Sequence, residues 1–353
     1  MKKTLALMIA LLLVFALAAC GGGSTPTAKE FESADIFWYK FDDQYLTGVR
    51  NAMTGYLDGA GIKYEHYDCE GDQAKQNDLV DTAISKGSSL LVVNIVDTAA
   101  EEAALNIVNK AKTAGIPIVF FNREVTDQVV NSYDQCVFVG TRAAEAGEMQ
   151  GELAGEVLAA AFDKFDLNGD GTLSYIMFKG ELGNPEAEAR TQFAVDYCNE
   201  ALKAAGLPEL VYYDPANTDK FQACDWNTEQ AQNAMATALG TNPMDGANPI
   251  EVVFCNNDGM ALGVVNALGE VGWNTGEGNA IPVFGVDAED FAIEMIGAGK
   301  MAGTIKQDGD AMAKGIVEFV KATKNGTDWK DVLSTFNVDA NVNKIRIPYA
   351  KMS

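Results

Sequence analysis

The sequence predicts an α/β protein built as two doubly wound, Rossmann-like lobes, each around a mostly parallel sheet. Three observations predict it. Uninterrupted apolar runs such as LLVVNIV and IPIVFF suit strands covered on both faces. Amphipathic helical patterns separate these runs, as parallel βαβ connections require. The alternation breaks near Thr141 and then resumes, so each half carries its own block of units.

Taken in order, the strand candidates of the first block are Ile36–Phe41, Lys63–Tyr67, Leu90–Ile95, Ile116–Phe121 and Val137–Val139. Those of the second are Leu173–Phe178, Leu210–Tyr213, Glu251–Cys255, Val283–Val286 and Ala302–Ile305. Helical spacing is clearest over Gln73–Lys86, Ala99–Ala114, Glu186–Ala205, Thr228–Leu239 and Ala311–Lys324.

Ahead of these units, Lys2 and Lys3 precede an apolar stretch, Leu5–Ala16, and then Leu17-Ala18-Ala19-Cys20. The run is short and ends in small residues, the layout of an export signal rather than a spanning helix. Cys20 sits as in a bacterial lipobox, so residues 1–19 read as a lipoprotein signal and Cys20 as the acylation site. An acyl group there anchors a protein to a membrane surface without crossing it. The segment after it, GGGSTPTAKE, reads as a flexible tether extending to residue 33.

The remaining ~320 residues exceed one ordinary core and suit two domains. Formal charge is −24 at pH 7, which excludes a nucleic-acid partner, since that needs a clustered basic face. Cys69, Cys136, Cys198, Cys224 and Cys255 form no CxxC pair, and His66 is the only histidine. Zinc is therefore not expected. The apolar settings of Cys136, Cys198 and Cys255 read as core, and a single disulfide stays open.

In open parallel sheets ligands bind beyond the carboxyl ends of strands. Short amides and carboxylates stand at those ends: Asp43, Asn122, Asn257 and Asp287, with Asn184, Glu186 and Arg190 beyond the strand that ends in YIMF. Carboxylates accept and arginine donates, so the set suits hydroxyl groups, which do both. Phosphate would call for GxxxxGK[ST], which is missing from the sequence. Taken singly, such residues are turn formers and helix caps. Tyr45 and Trp226 supply aromatic faces for the apolar side of a sugar ring.

A further motif, Asp166-Leu-Asn168-Gly-Asp170-Gly171-Thr172-Leu-Ser174, follows the opening of a calcium loop in its oxygen ligands and turn glycine. Met177 stands where the loop's terminal glutamate belongs, so a distant carboxylate would have to complete the shell.

The segments KFDDQY, GDQAKQNDLVD, VVFFNRE, NSYD, VGT, DLNGDG, KGELGNPEAEART, EVVFCNND, IPVFGVDA and AGT, in this order, resemble the bacterial galactose/glucose-binding proteins of ABC transport. The resemblance implies the type I periplasmic-binding-protein fold, with three hinge crossovers. Its lobes would be 34–141 plus 308–338, and 142–307 plus 339–353 with the calcium loop 166–174. It implies sugar contacts at Asp43, Tyr45, Asn122, Asn184, Glu186, Arg190, Trp226, Asn257, Asp287 and Gln307, the ring held between Tyr45 and Trp226. It also implies structural calcium held by Asp166, Asn168, Asp170, Thr172, Ser174 and Glu251.

Tyr45, Asn184, Glu186 and Gln307 depart from the family's Phe, His, Asp and Asn, and Ser174 replaces its Gln. The longer Glu186 and Gln307 move their polar atoms by about 1.5 Å, one C–C bond. Shifts of that size change which epimer a hydroxyl-reading site prefers. The implied function is capture of a monosaccharide by hinge closure and delivery to a membrane permease, by a monomer that catalyses nothing. A sensor presenting the sugar to a chemoreceptor or sensor kinase would use the same residues. A glycoside-processing enzyme would need a carboxylate pair such as Asp43 and Asp287.

Overall fold

The computed structural model describes residues 30–353; the signal, Cys20 and most of the tether lie outside them. Two sheets account for the described chain. The first has strand order β2-β1-β3-β4-β5-β12, with β1 Ala34–Trp38, β2 Tyr64–Asp68, β3 Leu90–Val93, β4 Ile118–Phe121, β5 Cys136–Gly140 and β12 Lys344–Arg346. The second runs β7-β6-β9-β10-β11-β13, with β6 Ser174–Lys179, β7 Val211–Tyr212, β9 Val252–Cys255, β10 Val283–Asp287, β11 Gly303–Gln307 and β13 Tyr349–Met352. A short β8, Gln222–Ala223, also pairs with β6. Every pairing is parallel except that of β13 with β11.

The chain passes between the sheets at three places. It leaves β5 for helix α5, Ala143–Ala160, which packs on the second sheet; it returns after β11 into α11, Gly309–Asn325, which packs on the first. The last passage lies between β12 and β13. This corrects the expected boundary at 339. Ile345 is fully buried, β12 pairs with β5 from Lys344 to Arg346, and Ile347 still donates to the Gly140 carbonyl. The segment to residue 347 therefore stays with the first sheet.

Side-chain caps and turn glycines set where the other elements begin and end. Asp72 caps α2, Gln73–Lys86, accepting from the amides of Ala74 and Lys75, and Gly87 closes it at φ 95°. Helix α1, Gln44–Gly59, starts at the Asp43 cap, so β1 ends at Trp38 rather than Phe41. The remaining first-lobe helices are α3, Glu101–Ala114, and α4, Asp127–Asn131. The second lobe adds α6 Phe162–Phe165, α7 Pro185–Ala204, α8 Thr228–Thr241, α9 Asp258–Glu270 and α10 Asp290–Gly297. A last short helix, α12 Trp329–Leu333, follows α11.

The central strands β1, β3, β4, β5, β9 and β10 are wholly buried, with Phe37 and Trp38 in the first sheet and Phe254 and Phe284 in the second. Cys69, Cys136, Cys198, Cys224 and Cys255 are all free thiols and all buried, which leaves the disulfide unmade. No described helix is long and apolar enough to cross a membrane.

Candidate functional site

The carboxyl ends of both sheets open on one pocket, the place where open parallel sheets bind their ligands. All ten residues singled out for a sugar line it: Asp43, Tyr45, Asn122, Asn184, Glu186, Arg190, Trp226, Asn257, Asp287 and Gln307. Tyr39, Leu46 and Arg123 line it too and were missed. Arg123 directly follows Asn122 at a strand end, the one signal that would have found it. Tyr39 was hidden inside an overlong first strand.

Three of the polar residues do two jobs. Asp43 caps α1 through Oδ1, accepting from the Leu46 amide at 2.9 Å, while Oδ2 accepts from the Tyr39 hydroxyl at 2.7 Å. Asn184 caps α7 with its carbonyl, which takes the amides of Glu186 and Ala187 at 3.0 and 3.1 Å. Asn257 caps α9 by accepting from Met260 at 2.9 Å. In both asparagines the cap occupies only the oxygen, and the NH2 group stays available to donate.

Backbone geometry at the site is costly. Asn122, Trp226 and Asp287 have φ of 59°, 61° and 122°, and such conformations in non-glycine residues cost about 1–3 kcal/mol each. Gly180 makes the Trp226 position possible: a Cβ there would lie 2.4 Å from the indole.

The polar atoms are strikingly uneven in how well they are satisfied. Arg190 is 3% exposed; its Nη1 donates to the Asn256 carbonyl at 2.7 Å and lies 3.7 Å from Asp287. Its Nη2 donates to Gln307 Oε1 and Tyr349 Oη, both at 3.0 Å. Arg190 Nε, Trp226 Nε1 and both carboxylate oxygens of Glu186 are buried with no hydrogen-bond partner. Burial, with Glu124 nearby, pushes the Glu186 carboxyl up to about 7 against the pull of Arg190 and Arg123. Burial likewise holds the Asp287 carboxyl well above the usual carboxylate range, although Arg190 opposes it. Buried polar groups are normally paired, and leaving one unpaired costs about 1–3 kcal/mol. Two acceptors and two donors facing one pocket therefore define what would complete it: groups that both donate and accept.

Gln307 differs from its expected role. It lines the pocket, but its carbonyl is taken by Arg190 and its amide points to Thr141 at 3.5 Å.

The acidic loop 166–174 lies at the start of β6. Asp166 accepts from the amides of Gly169, Asp170 and Gly171, and Asp170 accepts from the amide and hydroxyl of Thr172. Glu251, 1% exposed, accepts from Leu167 at one end of the loop and Ser174 at the other, both at 2.7 Å. Glu251 thus ties the two ends of the loop together through backbone amides. Burial, then Asp166 and Asp170, raise its pKa. With these oxygens turned to backbone amides, no group of three or more His, Cys, Asp or Glu side chains is gathered for a metal among the described residues. Ser174 is a departure: its hydroxyl donates to the Pro249 carbonyl at 2.5 Å. The loop's side chains are the oxygen donors a hard divalent cation takes, but here their oxygens are engaged by backbone amides.

Comparison with known proteins gives a consistent result. A family described as the periplasmic binding protein domain matches residues 35–328. The chain is 33% identical over 338 residues to the D-galactose/methyl-galactoside binding periplasmic protein of Haemophilus influenzae, covering 94% of this chain and 93% of that one. A solute-binding protein of an ABC transporter from Bacillus halodurans, solved with myo-inositol, matches with a TM-score of 0.70 at 24% identity, covering 92% and 95% of the two chains. Another from Clostridium phytofermentans, solved with β-D-glucose, gives 0.71 at 21% identity, covering 91% and 94%. At these identities the two structures speak for the fold alone.

Proposed function

The chain belongs to the periplasmic binding protein family, whose members are extracytoplasmic solute-binding proteins rather than enzymes, and from that premise we propose that it captures a galactose/glucose-type hexose. A sugar-binding role in ABC transport is what its relatives support; the hexose is the finer step. One observation carries it. Glu186 Oε1 and Oε2, Arg190 Nε and Trp226 Nε1 are orphaned on three residues that line this one pocket, and sugar hydroxyls complement both kinds of orphan.

Binding needs no chemistry on the ligand. The sugar enters between the lobes, its hydroxyls satisfy Glu186, Arg190 and the asparagine NH2 groups, and Trp226 and Tyr45 cover its apolar faces. Closure by hinge motion then excludes water, and the closed form is what a membrane permease receives. In the same reading the oxygens of Asp166, Asn168 and Asp170, the Thr172 carbonyl and Glu251, turned from the backbone amides they now accept from, would hold calcium, which would fix the loop at the start of β6. Cys20 would carry the lipid that keeps the protein at the outer face of the membrane.

A thermal-shift screen of D-glucose, D-galactose, their epimers, ribose, xylose and myo-inositol tests the reading. A hexose is expected to give the largest rise in Tm, because a ligand of the folded state alone stabilises it. The rise should disappear in Trp226→Ala, whose unliganded melting stays cooperative. A rise with ribose or inositol but no hexose would reject the assignment.

A further inference from the structure

Each passage between the lobes contributes one buried side chain to a single cluster. Thr141 follows β5 in the first, Gln307 ends β11 at the second, and Tyr349 opens β13 after the third. They are 0%, 3% and 5% exposed. Arg190, from α7, meets all three or their partners. Its Nη2 donates to Gln307 Oε1 and to Tyr349 Oη. Arginine has no acceptor, so the Tyr349 proton is free for Thr141 Oγ1, 2.8 Å away. Gln307 Nε2 lies 3.5 Å from the same oxygen and closes the ring. The outer edge of Arg190 is thus fixed by the three crossovers, while its Nε stays buried without a partner on a residue that lines the pocket.

We propose that Thr141, Gln307 and Tyr349 are positioning residues that couple the pose of Arg190 to the hinge. The argument rests on the cleft being the sugar site. Hinge closure rotates the crossover segments relative to one another. A ring with one member from each crossover is complete only over a narrow range of hinge angles, since its bonds tolerate little stretch. Arg190 Nε is therefore aimed at the ligand when the lobes are closed and loosened when they open. Ligand and hinge bias the same ring, which makes the coupling reciprocal. Gln307, expected to touch sugar, acts here through Arg190.

The test compares Tyr349→Phe, Thr141→Val and Thr141→Ser with the wild type. The sugar giving the largest wild-type thermal shift is titrated by calorimetry, and small-angle scattering is recorded with and without it. Tyr349→Phe and Thr141→Val should each raise Kd about tenfold, the scale of one hydrogen bond to a charged group. Thr141→Ser, which keeps the hydroxyl, should recover most of that loss. The ligand-free scattering of Tyr349→Phe should shift toward a larger radius of gyration, with melting of the unliganded protein close to wild type. Wild-type affinity and scattering in Tyr349→Phe would overturn the proposal, as would equal losses in Thr141→Val and Thr141→Ser. Should the wild type bind none of the sugars, the hexose reading fails; the ligand-free scattering then decides the coupling alone, and superimposable profiles reject it.

Discussion

Glu186 shows most directly what the site asks of its ligand. Its folded-state pKa of about 7 lies above the ordinary 4.5, so the folded, empty protein holds this proton more tightly than the unfolded chain does. The contribution to stability is full below about 4.5 and is lost as pH rises through about 7. A sugar hydroxyl donating to the charged carboxylate reverses the preference. Affinity should therefore rise with pH and level off above about 7, falling below it by at most tenfold per unit. The facing groups are Glu124, which favours the proton, and Arg190 and Arg123, which oppose it. Calorimetry on either side of neutrality checks this, and Glu186→Gln should flatten that part of the profile. A wild-type Kd independent of pH would exclude Glu186 as an acceptor from the ligand. At this scale the sequence was legible because strand-end position alone selected Asp43, Asn184 and Asn257. Capping and lining the pocket coincide in these residues: each caps a helix with one oxygen and stands in the pocket wall, Asp43 with its second oxygen taken by Tyr39.

At the scale of elements, α7 holds Glu186 and Arg190 in place because α5 lets it approach closely. Gly147, Gly151 and Gly155 lie on one face of α5, four residues apart; a Cβ on Gly151 would come 2.6 Å from the Ala194 carbonyl of α7. Gly151→Leu should push the helices apart, at a cost of roughly 1–3 kcal/mol from overpacking, and weaken sugar binding by moving Arg190. Denaturant unfolding and titration of the same sample would measure both. A stable variant with unchanged affinity would show that helix spacing does not set the site. The acidic loop makes a separate prediction. If calcium seats there, it should raise the Tm of the wild type, by mass action on the folded state, and should not raise that of Glu251→Gln. Chelator should remove the difference. A calcium response surviving in Glu251→Gln would place the ion elsewhere. Long apolar strands and capped helices were legible in the sequence. The short strands β8 and β12 were not, because Gln-Ala and Lys-Ile-Arg lack an apolar run and owe their place to neighbours already folded.

Over the whole molecule, the break near Thr141 revealed two lobes, but the position of the third crossover depends on the pairing of β12 with β5, which no local pattern announces. The same holds for the bond that spans the cleft. Arg123 of the first lobe donates to Glu181 of the second at 2.5 Å. Its Nε donates to the Ile95 carbonyl and the same Nη2 also to that of Val96, and its guanidinium lies 4.3 Å from the Tyr39 ring centre. The arginine is therefore set in place by its own lobe, and only the approach of Glu181 depends on closure. Glu181, with a side chain still 33% exposed in the pair, loses little hydration when the lobes close, so the pair favours the closed form without stiffening the open one. Glu181→Gln keeps the shape and removes the charge. It should raise Kd about two- to tenfold, chiefly through faster release of sugar, as truncation of a partly buried charge pair usually acts on dissociation. The unliganded Tm should barely move, because partly exposed ion pairs add little stability. Stopped-flow fluorescence of Trp226 in the closing cleft would separate the two rates. An unchanged release rate would mean that this bond follows closure and does not hold it.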